Sequence, residues 1–339
     1  MHTKVSIPGT STASRSVAID LVRVVAVVAI VLGHVWGEGV VREVVHPWHV
    51  PVFFLLSGYL WRSGRSLSDE VRRRTPTLLV PYVAWLVILL LVVVAVALAR
   101  GDGLPLGAVR DALLGGAYAG RPFSAFWFVT ALFVGVVLYR LLDQGAWYVR
   151  WVGALAGLVL GYLVPDVLAA VPLSVGLALP CLVFIAAGHE LARWRPRLGD
   201  RAAVFVGAAL VVLGAIAVAT GLSAPVDLKQ ADLGTPVVSV LVAVMIGAGL
   251  VLLAEVGTRD LPAGAGRAVV ALAAAALLVV LTHALVLWLL GTPPQGRVLD
   301  AVLALVLPWA LGLALLRVPA AARVLLGGAA ARGSRTPVR

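Results

Sequence analysis

About ten apolar stretches divide the chain: Val17–Trp36, Trp48–Trp61, Thr77–Ala99, Phe123–Leu142, Trp147–Val164, Leu168–Ala187, Ala202–Leu222, Val237–Ala254, Ala268–Leu290 and Val298–Leu316. This pattern excludes most folds. A hydrocarbon layer of about 30 Å is crossed by about 20 residues of helix, and all but the second stretch come close to that length. In lipid the backbone N–H and C=O groups must pair with one another, so the spanning solutions are helices and closed barrels. None of the stretches alternates with the two-residue period of a barrel strand. The expected fold is an all-α integral membrane bundle of about ten transmembrane helices. Composition agrees: 61% of residues are hydrophobic and 13% charged, against about 25% charged in a soluble domain. The mean hydropathy is +1.04.

The net charge of +11 does not mark a nucleic-acid partner, because the cations lie in the connections between apolar stretches. With the N-terminus inside and ten spans threaded, most of the Lys and Arg residues fall on the inner side. The exceptions are Arg42, Arg100, Arg110, Arg121, Lys229 and Arg297 outside, and Arg23 within a span. That bias is the positive-inside rule, and it puts both termini in the cytoplasm of a multi-pass protein of bacterial plasma-membrane type. Residues 1–14 read as a disordered cytoplasmic stub, 15–317 as the membrane domain and 318–339 as a basic cytoplasmic tail. The first apolar stretch holds Asp20, Arg23 and His34, which a cleaved signal segment would not. The one cysteine, Cys181, sits in an apolar run and reads as a small buried hydrophobe.

Ionisable groups inside a span are costly and point to function. At about 100° and 1.5 Å per residue, Arg23 and His34 face within about 20° of one another, and Asp20 lies within about 60° of both. The three share one inward face, with Asp20 about 21 Å from His34 along the axis. Asp20–Arg23 also has the spacing of a simple ion pair, and His34 could be an interfacial histidine without chemistry. Beyond it come His46 and His49, then Ser57, Gly58 and Tyr59 at the inner half of the second stretch. Three neighbouring histidines raise the question of zinc, but no carboxylate or cysteine completes a ligand set, so no metal is expected. Arg72, Arg73 and Arg74 follow in a connection that serves either as a topological anchor or as a phosphate clamp. Trp127 opens the fourth stretch and reads first as an interfacial aromatic. His189 closes the sixth and His283 lies within the ninth. Asp227, Lys229 and Asp232 read as solvated loop residues.

These residues resemble acyltransferase family 3, the membrane enzymes that acylate surface polysaccharides, lipid-linked sugars and some natural products. The resemblance begins with Arg15, Asp20, Arg23 and His34. It continues through the segment from His49 to Tyr59, then Arg72–Arg74 and Pro81-Tyr82, and more weakly through Trp127 and Thr282-His283. The segment from His49 to Tyr59 is most similar to the fucose O-acetylase-like branch. The resemblance implies an acyl-CoA co-substrate, usually acetyl-CoA, no permanently bound cofactor, and transfer across the membrane to a carbohydrate-like hydroxyl. It implies His34 as the essential histidine and Arg15, Asp20, Arg23, Arg72, Arg73 and Arg74 as the donor-side group. His49, Ser57, Tyr59, Trp127 and His283 are possible lining residues. The expected partners are membrane lipid, acyl-CoA and a glycan-like acceptor, with no nucleic acid. A different class, a ten-helix exporter of a lipid-linked or small substrate, shares the intramembrane charges. It predicts repeat symmetry and broken midplane helices, which the sequence does not display.

Overall fold

The computed structural model describes residues 16–327, and those residues are helical almost throughout. Helix α1 (Val17–Val35) is followed by the short α2 (Val40–Val45) and α3 (Pro51–Tyr59). Next come α4 (Leu67–Arg74), α5 (Val80–Arg100), α6 (Leu106–Leu114), α7 (Trp127–Leu142) and α8 (Trp147–Leu163). The chain continues with α9 (Pro165–Ala170), α10 (Ala178–Trp194), α11 (Asp200–Ala219) and α12 (Val238–Gly257). It finishes with α13 (Ala263–Leu289), α14 (Val298–Leu315) and α15 (Pro319–Leu325). Among the described residues, seven helical segments are long and apolar enough to cross a membrane, while α7 and α8 are shorter apolar helices.

Three elements depart from the apolar pattern, each for a local reason. Pro51 opens α3, and the chain turns at Leu60, leaving nine helical residues. At 1.5 Å per residue they rise about 14 Å, so the second apolar stretch is a buried half-length helix. The sixth stretch does not start at Leu168. Pro172 and the left-handed Leu173 and Ser174 break the chain into a 3₁₀ segment, and α10 begins at Ala178 and runs on to Trp194. His189 therefore lies inside α10. Conversely, α4 and α5 join through a π-turn at Thr75–Leu79, in which the Val80 N–H reaches back to Thr75 O. The result is one continuous segment, Leu67–Arg100, of 34 residues.

Small residues set the closest helix contacts, as expected where lipid offers no hydrophobic driving force between helices. A Cβ at Gly58 of α3 would overlap Ile185 O of α10, and one at Gly188 would overlap Leu55 O. The backbones of α3 and α10 thus touch directly. On the other side of the bundle Gly207 of α11 faces Gly249 of α12 in the same way. The best-packed pairs include α11 with α12, α10 with α3, α10 with α8, and α1 with α13. Helix α1 is the pivot: its faces meet α13, α12 and α14, and Ile19, Val22 and Ala26 pack with Val52, Leu55 and Leu56 of α3 and Val251 of α12.

Candidate active site

The bundle has two polar ends, joined by α1. At one end of α1 are Asp20 and Arg23; at the other is His34. Of the inward face inferred from helical geometry, Asp20 is buried and His34 half-buried, whereas the Arg23 side chain is 34% exposed; Arg23 Nη1 donates to Asp20 Oδ1 at 3.0 Å.

The histidine end brings together residues from distant parts of the chain. The rings of His34 and of His283 in α13 meet edge to face, with centroids 4.8 Å apart. The loop after α1 folds back so that a Cβ at Gly33 would lie 3.2 Å from His46 Nε2, and His46 in turn meets His49 at a tilt, with ring centroids 4.8 Å apart. His34 is within electrostatic reach of all three other rings. His46, which lies outside the long helices, is lowered from the ordinary imidazole range by burial, with Asp227 opposing.

Three of these rings share one hydrogen-bonding habit. His34 Nδ1 lies 3.0 Å from Ile30 O, His49 Nδ1 2.8 Å from Val45 O, and His283 Nδ1 2.9 Å from Val279 O. Each carbonyl is one helical turn earlier in the chain. A carbonyl only accepts, so each Nδ1 carries a proton, and in the neutral ring Nε2 keeps a bare lone pair. His283 Nε2 is fully buried and has no hydrogen-bond partner. A buried acceptor left in this way costs about 1–3 kcal/mol. Such an orphan calls for an explanation. His34 is only half-buried, so it forms the approachable side of the pair. Among the described residues no cluster of His, Cys, Asp and Glu has the makings of a metal site.

An open groove of about 510 Å³ lies just past the end of α1, lined by Glu38, Arg42 and Glu43 and, across it, by Ser223. Arg121, which the sequence presents as one loop cation among several, reaches into this end of the molecule. It donates to the backbone carbonyls of His34 and Thr292. Lys229 is not solvated: its Nζ donates to Ala119 O at 2.7 Å, and burial lowers its pKa. Asp227 and Asp232 pair through their backbones.

At the opposite end the arginines divide by role. Arg72 and Arg73 are exposed, whereas Arg74 Nε donates to Glu70 Oε1 at 2.9 Å. The other Glu70 oxygen accepts from Arg140 at 2.9 Å and lies 3.6 Å from Arg65. Arg140, on α7, is a hub that sequence reading passed over as a topological charge. It is 1% exposed, and it ion-pairs with Glu70 and Asp143. It also donates to Arg62 O at 3.0 Å and stacks over Trp61 at 3.9 Å. The signal in the sequence was an arginine in the last turn of an apolar run with an aspartate three residues on. Tyr59 stands at this end too, donating to Glu255 Oε1 at 2.5 Å, with Arg195 on the other oxygen. It closes α3, whose opposite end follows His49.

Of the remaining lining candidates, Ser57 returns its hydroxyl to Phe53 O. Trp127 is buried at the start of α7, so it faces the protein rather than a lipid interface. One turn on, Thr130 donates to Leu173 O in the strained 3₁₀ segment. His189 is engaged by Tyr139 OH at 3.0 Å. Arg15 lies outside the described residues.

A family model described as an acyltransferase domain matches residues 16–317. The chain belongs to acyltransferase family 3. No curated protein and no solved structure matches it. The acyltransferase domain so matched runs from the residue before α1 to the end of α14, so it contains both the histidine pair and the arginine end. It is a membrane protein by the length and apolarity of its helices. In this acyltransferase the chemistry therefore has to be assigned to groups inside the bundle or at its ends.

Proposed function

We propose that the protein transfers an acyl group, acetyl in the first instance, from a cytoplasmic acyl-CoA to a hydroxyl of a carbohydrate-like acceptor at the outer face of a bacterial plasma membrane. In this reading the chain makes ten passes with both termini inside. The seven long segments, α7, α8 and the half-length α3 make up the ten. The observation that carries the proposal is the pair His34–His283, one ring partly buried and the other buried with an unmatched Nε2 acceptor.

The two ends of α1 then have separate tasks. Coenzyme A carries anionic phosphates and is made in the cytoplasm. Arginines at the Asp20 end match it by charge and by the forked geometry of guanidinium with phosphate. Arg72 and Arg73 are the exposed members of that set, with Arg23 in the first turns of α1; Arg15 belongs to the set by the resemblance alone. Arg74 and Asp20 act from behind, through Glu70 and Arg23. The uncharged pantetheine arm spans the bundle and presents the thioester near His34. The acceptor enters from the outer groove at Glu38, Arg42 and Glu43. His34 Nε2 removes the proton of the acceptor hydroxyl as general base. The oxygen forms a bond to the thioester carbonyl carbon, the tetrahedral intermediate collapses, and the C–S bond breaks. The departing thiolate recovers the proton from the imidazolium. The buried His283 Nε2 accepts a hydrogen bond from an amide N–H of the bound donor, holding the reactant against His34.

The test is acetyl transfer from radiolabelled acetyl-CoA to the host glycan fraction, in membranes, at matched expression. His34→Ala should abolish transfer. An Arg72→Ala/Arg73→Ala double variant should raise the acetyl-CoA concentration needed for half-maximal rate about ten-fold or more, with a smaller effect on maximal rate. Wild-type transfer by His34→Ala would remove the histidine from the mechanism.

A further inference from the structure

The helices that carry the two histidines end close together, and one side chain joins them. Arg121 lies in the segment between α6 and α7. One terminal nitrogen of its guanidinium donates to His34 O at 2.5 Å and the other to Thr292 O at 2.8 Å. His34 is the penultimate residue of α1. Thr292 lies just past the end of α13, and its own N–H returns to Leu287 O at 3.0 Å. Both carbonyls belong to C-terminal ends, where helices leave acceptors unsatisfied and the dipole is negative.

Arg121 forms no ion pair with a described residue, and Asp300, whose charge acts on it, is itself bound by Arg297 at 2.9 Å. Burial pulls the Arg121 pKa down and Asp300 pulls it up, and arginine remains charged throughout. Among the described residues, Gly37 N–H also donates to Pro294 O between these two ends, at 3.2 Å.

We infer that Arg121 is a positioning residue of the acyl-transfer site: by bridging the ends of α1 and α13 it fixes the spacing of His34 and His283. The inference rests on the reading of those histidines as the reacting centre. A planar fork with two parallel donors suits two carbonyls, whereas a lysine is a single point donor. Loss of the bridge leaves both rings in place but lets their separation drift, and a displacement of about 1 Å at a reacting centre costs about 100-fold in rate.

The experiment uses the full chain in membranes, radiolabelled acetyl-CoA and the host glycan fraction. Arg121→Met, Arg121→Lys and His34→Ala are compared with Arg110→Met, a change at an exposed arginine that pairs with its neighbour Asp111. Arg121→Met should lower maximal rate by about 10- to 100-fold, with the acetyl-CoA requirement within about two-fold of wild type and the unfolding temperature unchanged to a few degrees. Arg121→Lys should fall between, and Arg110→Met should match wild type. Wild-type maximal rate in Arg121→Met, beside an inactive His34→Ala, overturns the bridge alone. A loss that tracks a lowered unfolding temperature and a raised acetyl-CoA requirement also overturns it, since that is general loosening. An active His34→Ala instead overturns the reading on which the bridge rests. Should Arg121→Met not accumulate, Arg121→Lys decides: a partial loss of maximal rate supports the bridge and full rate overturns it.

Discussion

A histidine whose Nδ1 donates to its own helix has one nitrogen left for chemistry, and in His283 that nitrogen is buried without a partner. His283→Ala should therefore lower maximal acetyl transfer by about 100-fold or more, the range of a lost proton-handling or positioning contact, while leaving the acetyl-CoA requirement within about two-fold. Steady-state transfer over a range of acetyl-CoA checks this, and a change confined to that requirement would move His283 to the donor site. At the other end Arg140 faces two buried carboxylates. Arg140→Met removes the cation that Glu70 and Asp143 share but leaves Arg74 on Glu70 and Arg150 on Asp143. The cost therefore falls below the figure of about 3–5 kcal/mol for a buried charge left wholly unpaired. Thermal unfolding in detergent should show a marked drop, with Glu70→Gln in the same background recovering part of it. His34, Asp20 and Arg23 were legible in the sequence, because three polar residues on one face of an apolar helix have few structural excuses. Arg121 and Arg140 were not. Their partners lie far along the chain, 87 and 171 residues away for Arg121 and 70 for Arg140 with Glu70, and no local spacing encodes such a meeting.

At the scale of elements, the half-length α3 depends on direct contact with α10. Gly58→Leu or Gly188→Leu would drive a side chain into the facing backbone, and cores forced to overpack lose about 1–3 kcal/mol or more. Backbone contact leaves no flexible side chain to yield, so little folded protein should be recovered by size-exclusion chromatography. Gly264→Ala, with open space around it, should elute as wild type. Normal recovery of Gly58→Leu would mean that α3 sits elsewhere. The apolar stretches marked most of the helices to within a few residues, because burial in lipid demands a continuous run. The same rule misjudged the second and sixth stretches. Apolarity reports solvent and not helix, so it cannot see that Pro51 and Leu60 bound a nine-residue helix. Nor does it see that the chain breaks at Leu173 and Ser174.

For the whole molecule, the proposed ten-pass arrangement makes a direct prediction about sides. Cys181 is buried, so single cysteines introduced elsewhere can be read against a quiet background. A cysteine replacing exposed Ser68 should react with an impermeant maleimide only after the membrane is opened. One replacing exposed Leu222 should react in intact cells. The reverse pattern would invert the protein and detach the arginines from cytoplasmic coenzyme A. The amino-acid sequence by itself determined that this chain lives in lipid, that its helices lie in a certain order, and that α1 carries an ionisable face with a histidine far from an arginine. These are properties of one segment and its solvent, and hydrophobicity and helical periodicity express them locally. Tertiary structure alone decided that His283 meets His34, that Arg121 ties their helices together, and that Arg140 holds the arginine end in place. Such contacts depend on which helix faces pack together, and that choice is made by the sum of many small contacts across the bundle rather than by any residue's neighbours in the chain.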